Sequence, residues 1–322
     1  MMRSYCFAIF AGLLVMECQG GDWPAFRGPT GQGMAKAEKT PLEWSPSSGI
    51  AWKVPLPGPG ASGAVVSSGR VFVTCYSGHL VPGMPGGSTA SLKRHLLCLE
   101  ASSGKTVWEK VVPAKLPEEE KIRDHGYAAS TPLVDDKLVY AFFGKSGLHA
   151  FSLDGVKAWE ADVGSSTSGW GSAASPVACG DLVVVNASVE SGSIIALDRA
   201  TGKEKWRASG IKESWNTPVV VPDGAGGKQL VVAIAGKVLG LDPATGKTDQ
   251  YAVTKKGLHG HTPVFNSQGD LWFSELPGNK IGTWDRKTDK VTIFDSPEPR
   301  ARPYGLIVDH KDQVWYVEYH GD

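Results

Sequence analysis

The chain has 322 residues, 33 basic and 33 acidic, for a formal net charge of +0. Bulk electrostatics therefore gives no reason to expect nucleic acid or an anionic membrane surface as a partner. With 40 glycines and 11 tryptophans, the composition suits many short strands and tight turns rather than a helical protein, and the length allows a sizeable core.

Residues 1–20 read as a secretory signal. Arg3 precedes an apolar run over 6–16, and Cys18 and Gly20 are small residues suited to a cleavage site before Gly21. The run is short for a transmembrane span. Lipidation at Cys18 is the competing reading, against which Glu17 stands where a small residue is expected. The expected location is secreted or periplasmic. The mature region, 21–322, keeps Cys75, Cys98 and Cys179. An odd number is no disulfide framework. Cys75 and Cys98 lie near the ends of neighbouring expected strands and could pair, or serve as small buried apolar groups.

The rest of the chain is a repeat. Residues 51–56 form an orphan strand carrying Trp52. Five units follow, at 61–112, 128–163, 172–208, 215–253 and 260–295. Several open on a Ser/Thr-Pro pair: Thr131-Pro132, Ser175-Pro176, Thr217-Pro218 and Thr262-Pro263. Proline is tolerated there because the start of a strand needs no ladder donor. Each unit ends on a hairpin, best seen in Asp198-x-x-Thr201-Gly202-Lys203-x-x-Trp206. The aspartate accepts hydrogen bonds from the turn, the glycine supplies positive φ, and the tryptophan offers apolar surface to the return strand. Trp108 and Trp159 occupy the same slot, whereas Gln250 and Ile293 replace the tryptophan later. Four antiparallel strands in roughly 45 residues is the pattern of a propeller blade. The last unit supplies two strands, 304–309 and 313–318. The expected fold is thus an all-β propeller of five full blades, an orphan N-terminal strand and an incomplete C-terminal blade. An unpaired strand edge is a liability, which favours a piece of a longer propeller over imperfect closure.

The repeated Asp-x-x-Thr-Gly-Lys-x-x-Trp hairpin resembles the tryptophan-docking repeat of PQQ-like β-propellers. So do the opening Asp22-Trp23-Pro24-x-Phe26-Arg27-Gly28-Pro29 and the stretch Ile50-Ala51-Trp52-Lys53-Val54-Pro55. This resemblance covers about 22–250. From about 257 the pattern changes: Gly257-Leu258-His259-Gly260, Gly269-Asp270-Leu271-Trp272-Phe273-Ser274-Glu275 and Gln313-Val314-Trp315-Tyr316-Val317-Glu318 resemble the repeats of streptogramin (virginiamycin B) lyases.

These resemblances imply different chemistries. Quinoprotein dehydrogenases hold PQQ with calcium under a vicinal disulfide; no adjacent cysteine pair exists here. The lyases imply a magnesium-dependent elimination. Its matched positions are His259 and Glu275 as catalytic groups, with Glu275, Glu318 and His320 as metal ligands. His259 and Glu275 equally fit as consensus residues that satisfy turns, and Tyr304-Gly305 stands where a His-Gly is usual.

A third candidate is the propeller face. Residues before the inner strands point toward a central channel, namely His125, Tyr127, Trp170, Trp215, Asn216, His261 and Tyr304. They make a mixed aromatic and polar mouth suited to a small-molecule or protein ligand, although Trp170 and Trp215 equally fit as structural plugs. The acidic run Glu118-Glu119-Glu120 reads as a solvated turn. The expected function is an exported, non-catalytic binding or scaffold module without a cofactor. The alternatives are a metal-dependent, streptogramin-lyase-like enzyme or a quinoprotein remnant, and divalent-metal binding discriminates between them.

Overall fold

The computed structural model describes residues 21–35, 43–123, 125–223, 226–234, 237–251, 260–275, 278–285, 287–288 and 290–319. The signal segment, Cys18, His259 and His320 lie outside the described residues.

The first blade holds β1 (Val65–Ser67) and β2 (Arg70–Ser77), a projecting hairpin of β3 (His79–Val81) and β4 (Met84–Gly87), then β5 (Lys93–Glu100) and β6 (Thr106–Pro113). The second is β7 (Leu133–Val134), β8 (Leu138–Phe142), β9 (Leu148–Ser152) and β10 (Lys157–Ala161). The third is β11 (Val177–Cys179), β12 (Leu182–Ala187), β13 (Ser193–Asp198) and β14 (Glu204–Ser209), with one short helix, α1 (Ser188–Ser191). The fourth is β15 (Val219–Pro222), β16 (Lys228–Ile234), β17 (Lys237–Leu241) and β18 (Thr248–Tyr251). The fifth is β19 (Gly260–Phe265), β20 (Leu271–Glu275), β21 (Lys280–Asp285) and β22 (Lys290–Asp295). A last pair, β23 (Pro303–Val308) and β24 (Val314–Glu318), forms a two-stranded sheet. Every complete blade is an antiparallel four-stranded sheet, and each expected unit coincides with one sheet.

Burial follows the strand alternation in two directions, because each sheet has a neighbour on either face. The core accordingly lies between blades. Leu148, Ala150 and Trp159 of the second blade pack with Val183, Val185 and Ile195 of the third. Val184, Ile194 and Trp206 of the third pack with Leu230, Val232 and Leu239 of the fourth. The inner strands touch at the axis, β1 with β7, β11 with β15 and β19 with β23.

The tryptophan slot is a contact between consecutive blades. Trp108 Nε1 donates to Leu153 O at 2.8 Å, Trp159 Nε1 to Arg199 O at 2.9 Å and Trp206 Nε1 to Pro243 O at 2.7 Å. In each case the ring covers the turn glycine of the next blade's hairpin. A Cβ on Gly155, Gly202 or Gly246 would lie 2.9, 2.6 or 2.6 Å from that ring. The glycine therefore serves the neighbour's ring as well as its own positive φ. Residues 51–56 join no sheet, yet Trp52 docks in the same way, on Gly104, with Nε1 donating to Ala101 O at 2.8 Å. The orphan segment keeps the tryptophan contact of an outer strand without the ladder, which needs a paired neighbour.

Two other readings are settled by register. Phe72 lies opposite Cys98 and Cys75 opposite His95. The two cysteines therefore point to opposite faces of the first blade; both are buried and free. The acidic run is not a solvated turn throughout. The Glu118 and Arg94 side chains are both 5% exposed and form an ion pair at 2.5 Å. The charge density of 118–120 gave no sign of this, because Arg94 arrives from a distant strand.

Candidate functional site

A cavity of about 1370 Å³, open to solvent, lies along the axis. Its wall comes from the inner strands, through Leu133, Val177, Val219, Phe265 and Val308, and from residues 24–34. That N-terminal segment is tied across the axis. Trp23 pairs with Val66, Val134 N donates to Pro24 O at 2.8 Å, and Arg27 Nη2 donates to Leu306 O at 3.1 Å. A stretch of polypeptide thus already lies along the inner strands, held by main-chain hydrogen bonds.

Trp215 and Asn216 line this cavity. The Trp215 indole donates to Gly171 O at 2.8 Å, which fixes the loop carrying Trp170. The two indoles sit 6.3 Å apart and tilted. Trp170 is 43% exposed, and the Arg123 guanidinium lies 4.4 Å above its ring. Asn216 is anchored, its Nδ2 donating to Ala233 O at 3.0 Å, while Asn186 Nδ2 donates to Ser214 O and Asn216 O at 3.1 and 2.9 Å. The rim is therefore rigid in backbone and offers an aromatic-cationic pair to solvent.

Other expected rim residues are placed differently. Tyr127 is buried beneath the rim, edge-on to Tyr76 at 5.3 Å, and its hydroxyl donates to Glu119 O at 2.8 Å. Burial pushes its pKa up to about 12. His125 is partly exposed, with Nε2 buried. Residue 261 lies in β19. Tyr304 is on the last sheet, 5.8 Å from Tyr319. Burial, and then Tyr319, raise the Tyr304 pKa.

Of the lyase positions, Glu275 is fully buried at the end of β20, opposite Gly260, and Glu318 accepts from Ser296 Oγ at 3.2 Å in the last sheet. Among the described residues no group of three or more His, Cys, Asp or Glu is disposed to hold a metal ion. The remaining lyase positions, His259 and His320, lie outside the described residues.

Beneath the rim lies a charged cluster that sequence reasoning missed. Arg94 pairs with Glu118 and donates to Tyr127 O and Ser146 Oγ; the Lys145 ammonium donates to Pro117 O and the Ser172 hydroxyl to Glu190. Arg94, Glu118, Tyr127, Lys145 and Ser172 line a space of about 20 Å³, enough for one water. Burial pushes the Glu190 carboxyl up to about 7. No sequence pattern announces this cluster, since its members come from three blades.

A family model described as outer membrane protein assembly factor BamB matches residues 43–291. The chain belongs to this family. Among solved structures, BamB from Moraxella catarrhalis superposes with a TM-score of 0.58 at 14% identity, covering 83% of this chain and 72% of that one. A catalytically inactive virginiamycin B lyase from Staphylococcus aureus, solved with quinupristin, gives 0.50 at 15% identity, covering 83% and 80%. A quinohemoprotein alcohol dehydrogenase from Pseudomonas putida gives 0.56 at 15% identity, covering 93% of this chain but 51% of that one. No curated protein matches. At such identities these likenesses are of fold alone. They bear out both resemblances read from the sequence: the BamB-type family accounts for the tryptophan-docking blades, and the lyase shares the propeller architecture.

Proposed function

We propose that this BamB-type propeller is an exported scaffold that binds a partner protein at its channel mouth. The observation that carries the reading is Trp170, half-exposed, capped by Arg123 and beside Trp215, which itself lines the axial cavity. Tryptophan and arginine are the residues most enriched among interface hot spots, where large rigid surface is bought with little conformational entropy. The path of residues 23–27, hydrogen-bonded along the inner strands, supports an extended polypeptide as the ligand. The signal-like residues 1–20 support export.

The test is a photo-crosslinking amino acid at position 170, with position 203 on a remote hairpin turn as control, in cells that express the protein. A discrete adduct from 170 alone, diminished by Arg123→Ala, is expected. The same adducts from both positions, or none from 170, would overturn the proposal.

A further inference from the structure

Three side chains of the first blade form a hydrogen-bonded line that the scaffold role does not use. Ser77 Oγ lies 2.7 Å from His95 Nε2, and His95 Nδ1 lies 2.5 Å from Glu109 Oε1. They come from three adjacent strands, β2, β5 and β6. Register explains the alignment. Cys75 faces His95, which faces Val111; Ser77 faces Lys93, and Leu97 faces Glu109. All three side chains therefore share one face of the sheet, each a diagonal step from the next. The ladder holds the three backbones, so the line is preorganised.

The chemical order is hydroxyl, imidazole, carboxylate. A carboxylate on Nδ1 holds the proton there and leaves the Nε2 lone pair facing the hydroxyl, the arrangement by which a serine is activated. The His95 side chain is 7% exposed and that of Glu109 36%, so the imidazole is shielded while its carboxylate reaches water.

The second blade holds an internal contrast. His149 Nδ1 lies 3.4 Å from Glu160, but its Nε2 bonds the carbonyl of Ser146 at 2.8 Å. There Nε2 must donate, and no hydroxyl is activated. The second blade's imidazole thus ties a turn carbonyl through Nε2, whereas the first blade sets a hydroxyl at Nε2 and a carboxylate at Nδ1.

The geometry points to Ser77 as a nucleophile toward carboxylic esters, with His95 as its base and Glu109 as the positioning residue. Cys75, Lys93 and Val111 share this face, with Lys93 directly opposite Ser77. In the first step Ser77 Oγ bonds the acyl carbon and its proton passes to His95 Nε2. The C–O bond to the alcohol breaks, and the departing alkoxide takes that proton. Water then attacks the acyl-serine, giving its proton to His95, and Ser77 recovers a proton as the acid leaves.

The test is covalent labelling of the full chain by a biotinylated fluorophosphonate, which forms a P–O bond to serine as fluoride leaves with the hydroxyl proton. Intact mass and peptide mapping give the readout. One adduct per chain at Ser77 is expected, absent in Ser77→Ala. Labelling at least tenfold slower is expected in Glu109→Gln, with partial recovery in Glu109→Asp. p-Nitrophenyl acetate should be hydrolysed faster by the wild type than by Ser77→Ala. Folded wild-type protein that takes no label above the Ser77→Ala background, or takes it elsewhere, would overturn the proposal. So would equal rates for Glu109→Gln and wild type.

Discussion

Gly202→Ala isolates the physical basis of blade docking. Two costs act at this position. Gly202 has φ of 71°, a conformation that costs an alanine roughly 1–2 kcal/mol. Its new Cβ would also meet Cδ2 and Cε3 of Trp159 at 2.6 Å, well inside contact distance. The Trp159 ring is buried, packs against Tyr140 at 5.8 Å and is tied through Nε1 to Arg199 O, so it cannot retreat freely. Overpacking of this kind costs about 1–3 kcal/mol. The expected total is therefore roughly 2–5 kcal/mol. Gly210→Ala is the matched control: its φ is 79°, but a Cβ there meets nothing within 4 Å. It should cost only the backbone part, about 1–2 kcal/mol. Urea unfolding followed by tryptophan fluorescence measures both. At an m-value of about 1–3 kcal/mol/M, Gly202→Ala should unfold at a midpoint lower than Gly210→Ala by roughly 1 M. In a Trp159→Ala background the ring is gone, and Gly202→Ala should then cost no more than Gly210→Ala. Equal midpoints for the two single variants, or an undiminished cost of Gly202→Ala in the Trp159→Ala background, would refute the argument.

Other expectations follow from buried polar groups and from the cysteines. Burial pushes the Glu190 carboxyl from its ordinary 4.5 up to about 7, so between these values the folded chain holds a proton that the unfolded chain has released. Stability from this group is then greatest at the acid end and falls as pH rises through 7, by on the order of 3 kcal/mol in all. Glu190→Gln should flatten that slope and raise the urea midpoint at pH 8 more than at pH 5; an unchanged slope would count against a neutral Glu190. Arg94→Ala leaves Glu118 buried beside an empty space and should cost about 3–5 kcal/mol, measured by the same unfolding curve. Cys75, Cys98 and Cys179 should resist a thiol reagent in the native state and each react on unfolding, as peptide mapping of the labelled chain would show. Burial raises the pKa of each, to about 11 for Cys75.

Local sequence carried the architecture because blade formation is a local event. Alternating apolar runs, Thr-Pro starts and Asp-x-x-Thr-Gly turns each act within a few residues, and their repetition located the five four-stranded sheets and the final pair of strands, but not the β3–β4 hairpin. The tryptophan positions were legible for the same reason. What they touch was not. Gly202 reads locally as a turn residue, and only the packing of successive blades shows that Trp159 lies on it. The rim was half legible: Trp170 and Trp215 meet as a pair, but Tyr127, two residues from His125, turns inward against Tyr76.

The sequence by itself determined that the chain folds as antiparallel blades and where each blade begins, since hydrogen-bonded hairpins are encoded over short spans. Tertiary structure alone decided which charges are buried, how residues 23–34 cross the axis, and that Ser77, His95 and Glu109 fall on one diagonal. Those outcomes depend on strand register and on blades distant in the chain, whose relative placement is set by side-chain packing rather than by any local pattern.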